Sequence, residues 1–568
     1  MQMRWNFEPA DATKVDHLQQ SLKIDRVLCQ LLVKRGIETF EQARDFFRPS
    51  LDHLHDPYLM KDMDKAVARI QTAIQRGEKI LIYGDYDVDG TTAVATVYSF
   101  LKTFYDAVDF YVPHRYREGY GISTQGIDYA ADHGYTLIIA LDCGIKSVDK
   151  VTYANERHID FIIADHHLPG AQLPDAVAVL DPKRNDCPYP YKELCGCGIG
   201  FKLIQALAQA YDIPEENYLK YLDLVCLAIG ADIVPITGEN RVLAYMGLQK
   251  INTNPGPGIK QLMEVSGIKA SMTVDDVVFM IAPRINAAGR MDDARQAVQL
   301  LISEQVDPTA VEQAYQLHRL NADRKELDKT ITEHALGMIA ADSTQLQRKS
   351  TVLCHESWNK GVLGIVASRL TENHYRPTIV LTESEGILTG SARSVKGFDL
   401  YEAIYKCRDL LIQFGGHKYA AGLTLKRENL EAFAQQFDKV VRASITEEQL
   451  IPALEVDAII EPEIVSPSFY NIIQEMAPFG PGNMKPLFVT QNLTDTGWSR
   501  VLKDAHIKFS VRKQGSAVYD GIGFSMADKF PLVKNGAFDL AYHIDENEWN
   551  GQKRLQWMVK DVQSTKQV

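Results

Sequence analysis

Ile80-Leu81-Ile82-Tyr83-Gly84-Asp85-Tyr86-Asp87-Val88-Asp89-Gly90 places an apolar run directly before three carboxylates on alternate positions. The run is too hydrophobic for a surface loop and reads as a buried strand. A buried strand that delivers several acids to one point makes either a costly cluster of like charges or a site neutralised by divalent cations. Two other readings compete with metal chemistry. An EF-hand calcium loop opens with the same acids, but it needs a bidentate Glu where this chain has Thr96, and a helix rather than a strand in front. Capping of a helix beginning near Thr91 accounts for one carboxylate and not for three.

Composition bounds the rest. A chain of 568 residues is too long for one core and implies about three domains. With 45% hydrophobic and 24% charged residues, and no uninterrupted apolar run of membrane-spanning length, it reads as soluble and globular, without a membrane partner. The start Met1-Gln2-Met3-Arg4-Trp5 lacks the basic start and apolar core of a signal peptide, so a cytoplasmic location is expected. A net charge of -13 argues against a surface coated with basic patches for duplex DNA. A narrow basic groove remains compatible with it. Of the eight cysteines, only Cys187, Cys195 and Cys197 cluster, in no common zinc spacing, and they are read as packing residues.

Residues 1–75 read as helical, from the periodicity of Val27 to Val33 and Ala66 to Ile70. From Lys79, strand-like runs (80–83, 108–112, 136–141, 161–164 and 177–180) alternate with helix-length segments such as 92–104 and 124–133. That alternation implies an α/β fold with a parallel sheet. The three acids, Asp142 and Asp165-His166-His167 each follow a strand. Strand carboxyl ends line one edge of such a sheet, so these residues can share one crevice. Asp232 follows the apolar helix read over 221–229 and joins them as a further carboxylate. A long helix from Pro308 to about Ala341 connects to a second α/β domain, with a strand at 350–355 and a helix at 358–370. From Ile451 the chain is β-rich, as in His506 to Val511 and Arg554 to Val559, with a hairpin turn at Asn550-Gly551, and a small β-barrel fits.

This oxygen-rich ligand set with imidazole and no cysteine favours Mn2+ or Mg2+ over structural zinc. So many carboxylates suit two ions about 3.5–4 Å apart, which would activate water for attack on phosphorus. No serine, cysteine or side-chain base is then required.

Tyr83 to Gly90, Leu141-Asp142-Cys143-Gly144, Asp165-His166-His167 and Ala231-Asp232-Ile233-Val234-Pro235 resemble the four motifs of the DHH phosphoesterase superfamily. Within it, nearly the whole chain is similar to the bacterial single-strand-specific 5′-to-3′ exonucleases. The resemblance implies five parts: a helical region (1–75), a DHH catalytic domain (76–305), a connecting helix (306–345), a DHHA1 accessory domain (346–445) and a C-terminal OB-fold barrel (446–568). It implies Asp87, Asp89, Asp142, His166 and Asp232 as metal ligands, with Asp142 bridging. Asp85 is a further ligand or a supporting acid, because relatives with small substrates carry a histidine where this chain has Tyr83. His167 is expected to orient its neighbours or contact the scissile phosphate.

The same resemblance assigns DNA contacts. In the accessory domain they lie in Thr389-Gly390-Ser391-Ala392-Arg393-Ser394 and in the segment with Gly415, Gly416 and His417, where glycines let N–H groups approach an anion and arginine grips a phosphate. Pro113 to Gly121 interleaves basic and aromatic residues, including Arg115 and Tyr120, and offers a stacking face. Arg284, Asn286 and Arg290 are expected near the ions. Arg115, Ser391 and Arg393 are candidates for a 5′-phosphate pocket, and Trp498, Arg500, Lys508 and Phe509 for a strand-binding face on the barrel, where the alternative for an aromatic is a place in the core. The implied activity is release of 5′-mononucleotides from single-stranded DNA in repair and recombination, by a monomer working with a helicase and a single-strand-binding protein. The alternatives are a DHH phosphatase or nuclease acting on short oligonucleotides or small phosphoesters, and an inactive DNA-binding scaffold.

Overall fold

The computed structural model describes residues 3–549 and 552–565, so the expected turn at Asn550-Gly551 lies outside the described residues. The chain divides into two compact units. The larger comprises Trp5–Ala282, Val298–Ala310 and the described residues from Leu454 onward; the smaller is built mainly from Pro283–Ala297 and Val311–Ala453.

The larger unit carries the parallel sheet. Its strands are Lys79–Gly84, Val108–Tyr111, Tyr135–Leu141, Asp160–Ala164 and Ala178–Leu180. Their spatial order is second, first, third, fourth, fifth, all parallel. The order reverses between the first and third strands, the place where open α/β sheets bind ligands. Both central strands are apolar and buried on both faces, as helical cover on each side requires. The helix after the first strand starts at Val88 rather than near Thr91, because the Asp87 side chain accepts the Gly90 N–H at 3.0 Å as its N-cap. Asp89 therefore lies in the first helical turn and not in a loop.

The same unit holds the β-barrel. Seven strands form its sheet, and pairing of Phe488–Asp495 with both Phe538–Trp549 and His506–Arg512 curls the sheet back on itself. Phe488, Phe509, Phe538, Tyr542 and Trp557 share one core with Leu28, Leu31 and Leu32 of the N-terminal helix Arg26–Lys34. Phe509 thus takes the core alternative and not a place on a strand-binding face, whereas Trp498 is 75% exposed. Within the region read as helical, Arg4–Phe7 is a strand, and the Trp5 indole donates to Asp561 at 2.8 Å.

In the smaller unit the long helix spans Pro308–Ala341, as expected. A mixed five-stranded sheet follows, with one parallel pair and three antiparallel pairs. The helix expected from Trp358 begins only at Leu363. Asn359 Oδ1 accepts the Gly361 N–H at 2.8 Å and turns the chain first.

One buried network ties the larger unit together. Lys202, on the helix Gly196–Ala210, pairs with Glu239 at 2.8 Å, the two side chains being 0% and 1% exposed. Glu239 also accepts from the Tyr189 hydroxyl (2.7 Å) and the His55 N–H (2.9 Å), and Lys202 donates to the His55 carbonyl. Removing one partner strands the other charge in a dry site. Glu239→Ala is expected to cost about 3–5 kcal/mol of unfolding free energy in urea titration; an unchanged midpoint would show the pair to be dispensable.

Candidate metal centre

Every polar motif picked out by its position after a strand sits at the same edge of the sheet. His166 is the meeting point. Its Nε2 lies 3.2 Å from Asp142 Oδ1, 3.5 Å from Asp232 Oδ2 and 3.8 Å from Asp89 Oδ2. Ligand atoms of Asp89, His166 and Asp232 lie within 4.8 Å of one another, as do those of Asp142, His166 and His167. Asp85 and Asp87 fall outside both groups, although the charge of Asp87 acts on Asp85, Asp89 and Asp142.

Local backbone chemistry aims each group. Asp142 ends its strand with φ +58, a left-handed turn uncommon for a non-glycine residue. Its carboxylate meets the start of the helix Gly196–Ala210 so closely that a Cβ on Gly196 would lie 2.5 Å from Asp142 Cβ. Only glycine fits there. The same helix start donates its Gly196 and Cys197 N–H groups to Asp89 at 2.6 and 2.7 Å. Asp89 thus lies where the partial positive charge of a helix N-terminus favours an anion. Cys195 caps this helix by accepting the Gly198 N–H, and all three clustered cysteines are buried and free.

Asp165 plays a different part from its neighbours. Its Oδ1 accepts from the His166 N–H, the His167 N–H and His167 Nδ1 (2.7 Å), and its Oδ2 from the Ile145 N–H. Burial alone would raise this carboxyl, but the hydrogen bond and charge of His167 overcome it and hold the group at about 2. In return, and against its own burial, His167 is raised to about 8. The His167 Nε2 then meets the Tyr120 hydroxyl at 3.1 Å. His166 is pushed down to about 3 by burial and by the His167 charge, and stays a neutral imidazole suited to a metal.

The other acids are driven the opposite way. Burial first, then the Asp87 charge, raises Asp89 to about 7. Burial and the Asp89 charge raise Asp232 to about 8 and lift Asp142 well above the carboxylate range. Asp85 is fully buried, neither of its oxygens accepts a hydrogen bond of ordinary geometry, and burial lifts it likewise. Carboxylates this crowded cannot ionise together without a cation among them. The donor set of oxygens and one neutral imidazole therefore fits hard divalent ions.

Tyr83, at the position of the absent histidine, is no ligand. It is fully buried, donates to the Gly121 carbonyl at 3.0 Å and accepts the Ser123 N–H at 3.1 Å, organising the loop that carries Tyr120. Arg115 lies 4.9 Å over the Tyr86 ring. Sequence reasoning passed over Asp181, which follows the fifth strand, is fully buried and is raised to about 7 by burial. Its signal was available: it is one more acid at a strand's carboxyl end.

In the smaller unit, Arg393 donates to Ser391 Oγ at 2.8 Å, and both stand against the start of the helix Leu363–His374, where a Cβ on Gly364 would meet them at 2.8 and 3.2 Å. Arginine, hydroxyl and helix N-terminus are groups of the kind that attract anions, and here they stand together. Gly416 adopts φ +146 on the exposed strand Gln413–His417, which also carries Gly415 and His417. Asn286 lies on the helix Ala282–Met291, as does Arg284, which is buried and donates to His318 at 3.3 Å; Arg290 donates to the Gly361 carbonyl.

Comparison with known proteins agrees with this geometry. Residues 79–229 match the DHH family, N-terminal domain, and residues 347–443 the DHHA1 domain, which makes this a DHH-superfamily protein. Residues 456–561 match the RecJ OB domain. The single-stranded-DNA-specific exonuclease RecJ of Bacillus subtilis is 38% identical over 99% of this chain and 71% of its own length. That of Salmonella typhimurium is 33% identical over 94% of this chain and 95% of its own. The crystal structure of RecJ in complex with Mn2+ from Thermus thermophilus superimposes with a TM-score of 0.86 at 26% identity, covering 100% of this chain and 80% of that one. The chain belongs to the RecJ family.

Two tests follow from the crowding. Gly196→Ala, whose Cβ would push Asp142 aside while every carboxylate and histidine of the cluster stays in the sequence, should weaken Mn2+ binding by about 10–100-fold in calorimetry; unchanged affinity would mean that Asp142 is not held by this contact. Protons on Asp89 and Asp232 compete with the cation, so affinity should rise as pH climbs through about 7 and about 8. A flat profile over that range would contradict the proposed crowding.

Proposed function

We propose that the chain is a single-stranded-DNA-specific 5′-to-3′ exonuclease that hydrolyses phosphodiester bonds and releases 5′-mononucleotides in DNA repair and recombination. The convergence of Asp89, Asp142 and Asp232 on His166 at the sheet's switch point carries this reading. These residues, with Asp87 and Asp85 adding charge, would hold two Mn2+ or Mg2+ ions, and Asp142 would serve both. When bound, the ions supply the positive charge that gathers a phosphodiester and activates water.

The protein's own groups do the rest. Asp165 fixes the His167 ring through Nδ1, and the raised His167 offers a proton to a phosphate oxygen. Arg115 and Tyr120 contact the strand beside the metals. In the smaller unit, Ser391 and Arg393 are assigned to the terminal 5′ phosphate, and Gly415, Gly416 and His417 to backbone contacts with the strand. Arg284, Asn286 and Arg290 are assigned to the same strand. Trp498 and Arg500 provide a stacking and phosphate-binding face on the barrel.

No described helix is long and apolar enough to cross a membrane, and we place the enzyme in the cytoplasm as a monomer. A helicase would supply its single-stranded ends, and a single-strand-binding protein would keep them open. Asp142→Ala should reduce mononucleotide release from labelled single strands to background while circular dichroism stays unchanged. Preference for a dinucleotide over a long strand would instead favour a small-substrate phosphoesterase, and inactivity of the unsubstituted protein with either ion would favour a scaffold.

A further inference from the structure

Two large aliphatic side chains stand in solvent beside the metal centre. Leu168 follows His167 and is 63% exposed; Ile233 follows Asp232 and is 62% exposed. The segments that carry them converge, since His166 Nε2 lies 3.5 Å from Asp232 Oδ2. Neighbouring Cα atoms are about 3.8 Å apart, so each aliphatic group is held within two residues of that meeting point.

Ile233 bears a second cost. Asp232 ends the helix Leu222–Ala231, its N–H bonding to the Ala228 carbonyl, and Ile233 then takes φ +60. That left-handed turn is the usual place of glycine or asparagine after a helix. For a β-branched residue it is an outlier. Either small residue would end the helix without strain, and a polar one would suit the solvent. The chain instead places a strained aliphatic group where burial returns nothing. Strain of this kind persists where function requires it.

We infer that Leu168 and Ile233 form an apolar rim that seats the deoxyribose and base face of the nucleotide flanking the scissile phosphate. The inference rests on the phosphodiesterase reading and deepens it. Phosphate contacts do not read the base beside them directly. An unpaired base can turn its apolar face to such a rim, and a base stacked inside a duplex cannot. The rim is therefore a source of single-strand selectivity separate from the phosphate-binding arginines. Tyr120, 58% exposed with its hydroxyl on His167, extends the same surface.

The test compares 5′-phosphorylated single strands that are normal or abasic at the two terminal nucleotides, with unsubstituted protein, Leu168→Ala, Ile233→Asn and Ile233→Val. Asparagine keeps the left-handed turn and removes the aliphatic group; valine keeps both branch and turn. On the normal strand, Leu168→Ala and Ile233→Asn should raise KM about tenfold, the scale of losing one aliphatic contact, while Ile233→Val stays close to the unsubstituted protein. On the abasic strand the KM differences among the four proteins should shrink to about twofold, because the base that the rim seats is gone. Mn2+ affinity by calorimetry should be the same for all four. Equal losses on both strands, weakened Mn2+ binding, or no change on the normal strand would each overturn the rim. Failure of the underlying reading would look different: the unsubstituted protein would then leave both strands uncut.

Discussion

Mutual repulsion among buried carboxylates is the constraint on which the larger unit depends. Asp85, Asp89 and Asp142 are at most 2% exposed, and Asp232 joins them across His166. In water such acids would ionise independently. Here burial and neighbouring charge oppose it, and the fold answers with fixed positive ends: the first N–H groups of one helix on Asp89, and the N–H of Gly90 on Asp87. Asp165 is the contrasting case. Saturated by three N–H groups and a histidine, it stays charged and serves as an organiser rather than a ligand.

Much of the remaining architecture holds these groups in place. Asp142 reaches the cluster only through a left-handed turn against a glycine. Asp232 sits at a helix end, and the segment after it is fastened from several directions. Ile236 N–H bonds to the Pro481 carbonyl, and Glu239 enters the network of Lys202, Tyr189 and His55. The Arg241 guanidinium donates to the carbonyls of Phe46, Met476, Ala477 and Pro478. Elements hundreds of residues apart thus converge on the backbone just beyond Asp232. Where a site has to keep like charges at fixed separations, such second-layer rigidity is what sets affinity.

Much of this was legible in the sequence, for physical reasons. Strands buried on both faces read as continuous apolar runs, so the sheet and the acids at its carboxyl ends could be placed from residues 80 to 167. Asp232 could be named from its motif. What the sequence concealed depends on side chains meeting at a distance. Nothing local distinguishes Asp165, which spends its oxygens on N–H groups, from Asp89, which faces the cluster. Phe509 alternates like any strand residue, and only the shared core with Leu28, Leu31 and Leu32 identifies it as buried. The late helix start at Leu363 follows from one side-chain bond at Asn359, stronger locally than the helical pattern around it. The strand at Arg4–Phe7 was hidden because the strand it pairs with, Ala453–Val456, lies hundreds of positions along the chain.

The role proposed for this carboxylate cluster is to hold two divalent ions, with Asp142 shared between them. Anomalous diffraction from crystals grown with Mn2+ measures that directly. Two manganese peaks about 3.5–4 Å apart are expected, both within bonding distance of Asp142 and with Asp89, His166 and Asp232 distributed between them. A single peak, or peaks lying away from Asp142, would contradict it.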